Sequence, residues 1–274
     1  MPLDFNAFRV QKYTHNKSFV SLIGCDENGY ILKIVTMKTV RNSGVECDDG
    51  KGSSDGFIYD SKLSESVSRS KSKIFELAMC NPWDYFFTGT LSPDKYNRYD
   101  LDKFHKDLTQ FFRDQNKKYN CKIRFLLIPE KHKDGAWHMH GLIGGLSDAA
   151  LHKFQIGDKM SSEIAYLINK GDIIYNWSDY SNKFGFTTLG KVKNRQAVNK
   201  YITKYITKDL SCSVSAVGAH MYYRSRDLQE AVKIKEGFMS AGTNIKPNYE
   251  NDYCTVIELP YDEKTLSDVL SLFE

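Results

Sequence analysis

Residues 123–144, IRFLLIPEKHKDGAWHMHGLIG, constrain this chain more than any other stretch. An apolar run from Ile123 to Ile128 stops at Pro129-Glu130, turns through Lys133-Asp134-Gly135 and resumes from Trp137 to Ile143. This pattern predicts two antiparallel strands joined by a short polar loop. Strand side chains alternate faces, so His138 and His140 point one way and Met139 the other. Glu130 ends the first strand and can fold back towards them. Two imidazoles and a carboxylate on one face of a hairpin are a three-ligand metal site with open positions. His138, His140 and Glu130 are therefore the candidate metal ligands, with His132 the substitute for Glu130. The plain alternative is that both histidines line a polar surface. Their i, i+2 spacing, the upstream glutamate and the apolar flanks argue for metal.

A second constellation lies in residues 196–210, QAVNKYITKYITKDL, which read as a helix. Ile202, Ile206 and Leu210 recur every four residues as a buried stripe. Tyr201 and Tyr205 are also four apart, and Lys204 and Lys208 follow each tyrosine by three, within the same broad arc of the helix. Tyrosines often rim a core with neighbouring lysines in solvent, but the duplicated Tyr-x-x-Lys argues against that here. An ammonium near a phenol favours the phenolate and also meets an incoming phosphate. Tyr201, Tyr205, Lys204 and Lys208 are the candidate catalytic residues.

The other segments predict the scaffold. Residues 17–40 read as a hairpin and 41–60, rich in Gly, Ser and Asp, as a mobile loop. Helical spacing runs over 61–80, with Arg69, Lys71 and Lys73 on it, and ends at Asn81-Pro82. Trp83–Leu91 is aromatic and β-branched, as in a buried strand; Thr88 and Thr90 share one of its faces, and its expected place is beside the histidine strand. Leu101, Phe104, Leu108, Phe111 and Phe112 stripe a helix over 99–119 that covers the sheet. A polar insertion, 147–180, holds short helix candidates at 147–154 and within 159–179. Strands are expected at 184–192, 219–224 and 255–259, a helix at 227–235, and an amphipathic acidic segment at 263–273. The fold class expected is α+β, a central antiparallel β-sheet with flanking helices. The expected divisions are an N-terminal hairpin and loop (1–60), a main domain (61–240) and an acidic C-terminal tail (241–274).

With 274 residues, 41% hydrophobic and 26% charged, the chain holds enough apolar surface for a real core. No apolar run approaches the roughly 18 residues of a membrane span. The N-terminus lacks the basic start and apolar core of a secretory signal. Six cysteines are scattered singly, as free thiols in a reducing cytoplasm would be. The net charge is +4, but residues 241–274 carry two basic against seven acidic side chains, leaving residues 1–240 at +9. A basic body points to an acidic partner, of which nucleic acid is the commonest.

These parts belong together chemically. A metal polarises a phosphoryl oxygen, and a tyrosine hydroxyl, whose ordinary pKa of ~10 requires activation, can attack phosphorus. Basic and aromatic side chains suit a single strand whose backbone is tracked and whose bases stack. In order, FFTGTLSP (86–93), PEKH and WHMHG (129–132 and 137–141), and YITKYITK (201–208) resemble the three motifs of the HUH-superfamily rolling-circle replication initiators (Rep) of small single-stranded DNA phages and plasmids. SRSKSKIFELAMCNPW before the first motif and MYYRSRDL after the third are similar too, so the resemblance covers about 61–226. It implies a Rep-type HUH endonuclease fold with the metal motif on a central strand and Mg²⁺ or Mn²⁺ as cofactor. It also implies nicking of single-stranded DNA at a replication origin, with a 5′-phosphotyrosine link and a free 3′-hydroxyl. Without a GxxxxGK[ST] phosphate loop, such a protein borrows a host helicase and polymerase in the cytoplasm of a bacterial cell. Competing readings are a relaxase or transposase of the same superfamily, a non-catalytic DNA-binding regulator on the same scaffold, and a metal-dependent phosphatase or oxygenase. Relaxases usually carry the tyrosine ahead of the histidines, and the last class needs no paired Tyr-Lys helix.

Overall fold

A computed structural model describes residues 17–27, 29–38, 55–194, 197–198, 200–202, 204, 220–239, 245–250 and 254–274, with the backbone alone for 55–66. It is α+β, built on two antiparallel sheets, and it divides into two compact units: 1–56 with 230–274, and 57–229.

The first unit is a five-stranded sheet. The predicted hairpin forms from β1 (Lys17–Cys25) and β2 (Gly29–Met37), paired from Ser18↔Thr36 to Cys25↔Gly29. Gly29 adopts φ 70°, a left-handed turn conformation that glycine takes without steric cost. β10 (Val232–Phe238) pairs with the outer edge of β1, and β12 (Cys254–Pro260) pairs with β2 and with the short β11 (Tyr249–Glu250). α5 (Glu263–Leu270), capped by Asp262 accepting from Thr265 N, belongs to the cluster of Val20, Leu32, Ile34, Ile257 and Val269. One expectation changes here. The helix expected at 227–235 is a strand from Val232 onward, because Val232-Lys-Ile-Lys alternates with period two and β1 supplies the partner edge. Residues 254–270 add a strand and a helix to this unit, with α5 the expected acidic amphipathic segment.

The second unit is a seven-stranded sheet in the order β6-β7-β8-β3-β5-β4-β9. Its strands are β3 (Tyr85–Thr90), β4 (Arg124–Lys131), β5 (Trp137–Gly144), β6 (Leu151–Lys153), β7 (Ile174–Trp177), β8 (Thr187–Lys191) and β9 (Tyr223–Arg224). α2 (Leu101–Tyr119) covers one face, as its stripe predicts: Phe104, Leu108, Phe111 and Phe112 are buried with Phe87, Met139 and Ile143. Asp100 caps it by accepting from Lys103 N, and Asn120 ends it in the left-handed conformation, φ 46°. On the opposite face Ile74 and Leu77 of α1 (Asp55–Met79) pack with Leu126, Ile128, Leu142, Val198 and Ile202. The insertion departs from its reading at 147–154. Residues 148–150 make one 3₁₀ turn leading into β6, and α3 (Ser162–Asn169) is followed by β7, whose Trp177 is fully buried. α4 (Ser178–Lys183) then carries the buried Tyr180. Among the described residues no helix is long and apolar enough to cross a membrane.

Candidate active site

Strand register gathers the predicted ligands. β4 and β5 pair antiparallel with Glu130 opposite His138 and Ile128 opposite His140. β3 lies on the other side of β5, with Thr90 opposite His138 and Thr88 opposite His140. Residues directly opposite one another share a sheet face. One row therefore reads Glu130, His138, Thr90, and the next Ile128, His140, Thr88. The placement of Glu130 depended on the turn. Residues 132–136 close it, with His132 N donating to Ala136 O at 2.9 Å and Gly135 at φ 84°. The structure thus brings Glu130 onto the histidine face, its Oε2 2.9 Å from His140 Nε2.

Both imidazoles are held at the other nitrogen. Thr88 Oγ1 lies 3.1 Å from His140 Nδ1, and Thr90 Oγ1 lies 3.3 Å from His138 Nδ1. His132 stacks on His138 with centroids 3.6 Å apart, and the His138 and His140 rings are near-parallel at 6.4 Å. Burial, and then the neighbouring His132 and His140, push the His138 pKa down to about 4. His138 is thus the neutral imidazole that metal ligation needs at neutral pH.

That shift has a consequence for stability. The unfolded chain takes a proton on His138 near pH 6.5, whereas the folded chain does so only near 4. Above about 6.5 both states are neutral and the group has no effect; as pH falls towards 4 the unfolded state gains a proton first and stability drops. The half-buried ring stays partly solvated, so the loss is about 1 kcal/mol, well under the full value of the shift. Urea midpoints in EDTA at pH 7.5 and 4.5 check this. His138→Ala is expected to shrink the drop, leaving the part due to other groups whose folded-state values are lowered, among them His105 and Glu236.

Tyr201 comes to the same face. Its ring stacks on Phe86, centroids 4.4 Å apart, and its hydroxyl donates to Phe87 O at 3.0 Å. Phe86 is opposite Leu142, one row along from Thr88 and His140. Alternate residues of a strand are spaced ~7 Å apart, so the tyrosine platform adjoins the histidine rows. The described residues between 197 and 204 are helical, with Val198 and Ile202 buried and Lys204 exposed. Tyr205 and Lys208 lie outside the described residues. The sequence reading placed Thr88 and Thr90 on one face but did not assign their hydroxyls to the ring nitrogens. Phe86 as a platform was not foreseen, although it shares the period of two with Thr88 and Thr90.

Among the described residues, no group of three or more His, Cys, Asp and Glu side chains is set, as it stands, to hold a metal ion. Glu130 and His140 are hydrogen-bonded to each other, and the two imidazoles lie side by side. The donor chemistry nevertheless fits a divalent cation. A carboxylate and two imidazoles share one face, and both Nδ1 atoms are engaged, which directs Nε2 to ligation.

The model of a family described as Replication-associated protein ORF2/G2P matches residues 84–210. The match begins beside β3 and takes in the Glu130/His138/His140 rows and the whole of YITKYITK, somewhat under half of the chain. Searches of curated proteins and of solved structures returned no significant match. The similarity is consistent with a replication initiator and suggests DNA as the partner.

Proposed function

We propose that this chain is a rolling-circle replication initiator of the HUH type, a site-specific single-strand DNA endonuclease and ligase. The observation that carries the reading is the shared sheet face of Glu130, His138, His140 and Tyr201 inside the span similar to replication-associated proteins. In the proposed reaction a tyrosine Oη attacks the scissile phosphorus. The bond from phosphorus to the 3′ oxygen breaks, the 3′ oxygen leaves as a hydroxyl, and the 5′ phosphate stays on the tyrosine. Attack by a 3′-hydroxyl on that phosphotyrosine reverses the step and rejoins DNA. Tyr201 and Tyr205 are the nucleophile candidates, and Lys204 and Lys208 the cations for phosphate and developing phenolate. His138, His140 and Glu130 would hold Mg²⁺ or Mn²⁺, which when bound supplies Lewis-acid polarisation of the phosphoryl oxygen. Imidazole ligands suit Mn²⁺ and abundance suits Mg²⁺. The partners are single-stranded origin DNA and, for synthesis, a host helicase and polymerase in the bacterial cytoplasm.

The test is to incubate the protein with candidate origin single strands and Mn²⁺ and to map any covalent adduct by mass. The expected result is a tyrosine-linked 5′ fragment and a released 3′-hydroxyl strand, stopped by EDTA and restored by Mn²⁺. Full activity in EDTA would remove the metal from the mechanism. Sequence-selective binding with no adduct would favour the regulator instead.

A further inference from the structure

We infer that Thr88 and Thr90 are positioning residues that hold the two histidines through either imidazole tautomer, so that His140 can exchange Glu130 for a cation without turning its ring. This rests on the metal reading above. In the described state His140 Nε2 is 2.9 Å from the Glu130 carboxylate. In the neutral ring the proton is then on Nε2, and Nδ1 must accept, which the Thr88 hydroxyl satisfies as donor across 3.1 Å. Ligation through Nε2 moves the proton to Nδ1, and the same hydroxyl then accepts. A carbonyl or carboxylate at this position could only accept and would hold the ring in one tautomer. A hydroxyl serves both, because it rotates.

The strand that carries the hydroxyls is braced from behind. Gly89, between the two threonines, faces the opposite side of β3, where a Cβ would lie 2.5 Å from Tyr180 Oη and 2.7 Å from the Phe87 ring. Tyr180 is fully buried there, packed edge-on to Phe87 and Phe111. Thr187 Oγ1 donates to Thr88 O at 2.9 Å from the neighbouring β8. The close fit at Gly89 and the tie from β8 fix β3 at the height that puts each Oγ1 in reach of an Nδ1. Thr88, at the shorter distance and beside the more buried histidine, carries the larger part.

The experiment compares wild type with Thr88→Val, Thr90→Val and Thr88→Ser. Valine keeps the shape and removes the hydroxyl. Two readouts are taken: Mn²⁺ affinity by calorimetry, and ring ¹⁵N spectra of metal-free protein at neutral pH, which report the tautomer of each histidine. Thr88→Val is expected to weaken Mn²⁺ binding by about 10–100-fold. It should also shift the His140 Nδ1 resonance, which loses its hydroxyl partner, while the Glu130 carboxylate keeps the proton on Nε2 and thermal melting stays near wild type. Thr90→Val shifts the His138 Nδ1 resonance with a smaller loss of affinity, and Thr88→Ser keeps both readouts near wild type. Valine variants that bind Mn²⁺ as wild type does, with unchanged ring spectra, would overturn the assignment. If wild type binds no Mn²⁺, the metal reading falls, and the metal-free ring spectra alone decide whether the threonine hydroxyls bond the Nδ1 atoms.

Discussion

His138→Ala is expected to cut covalent adduct formation at least about a thousandfold while leaving the fold in place. A thousandfold corresponds to ~4 kcal/mol of transition-state stabilisation, within the several kcal/mol that a Lewis-acid cation supplies to phosphoryl transfer. The structural cost is small for reasons visible at the site. His138 is half-buried and neutral, so its removal strands no charge. It gives up the stacking on His132 and a 3.3 Å contact with Thr90. His140→Ala should abolish activity equally but is the poorer probe. His140 is only 9% exposed and bonds both Thr88 and the Glu130 carboxylate, so its loss also removes a partner from a carboxylate on the same face. The check is a denaturing-gel adduct assay with one oligonucleotide for all variants, alongside thermal melting at pH 7.5. Adduct formation within tenfold of wild type, in a folded His138→Ala protein, would detach the histidine pair from the chemistry.

How much of this was legible in the sequence follows from which interactions are local. The period of two in Trp137-His-Met-His is a property of strand geometry, so the shared face of His138 and His140 could be read directly. Thr88 and Thr90 share a face for the same reason. The α2 stripe was legible because Phe104, Leu108, Phe111 and Phe112 leave one arc to bury. Glu130 was less certain, since a turn one residue longer or shorter would place it on the other face; that register is set by the His132–Ala136 closure and the positive φ of Gly135. Docking of Tyr201 on Phe86 could not be read, because the azimuth at which a helix meets a sheet depends on side chains from both, here Val198 and Ile202 against Leu126, Ile128 and Leu142. β10 was misread because its alternation makes sense only beside β1, some two hundred residues earlier in the chain.

The double variant Tyr201→Phe/Tyr205→Phe is expected to form no covalent adduct at all, and each single variant to form one through the tyrosine that remains. The two candidates are equivalent by sequence, each followed by lysine at the third position. For Tyr201 the phenylalanine change keeps the ring's stacking on Phe86 and gives up the hydroxyl, whose bond to Phe87 O is worth ~1 kcal/mol. Alanine would also remove the stacking and confuse docking with chemistry. In the described state the Tyr201 hydroxyl is committed to a main-chain oxygen one row from the histidines, so attack through Tyr201 requires that bond to break first. Peptide mapping of the adduct from each variant reads the attacking residue, and single-turnover rates read the order. A covalent adduct from the double variant would show that another nucleophile does the work and would remove the tyrosine helix from the mechanism.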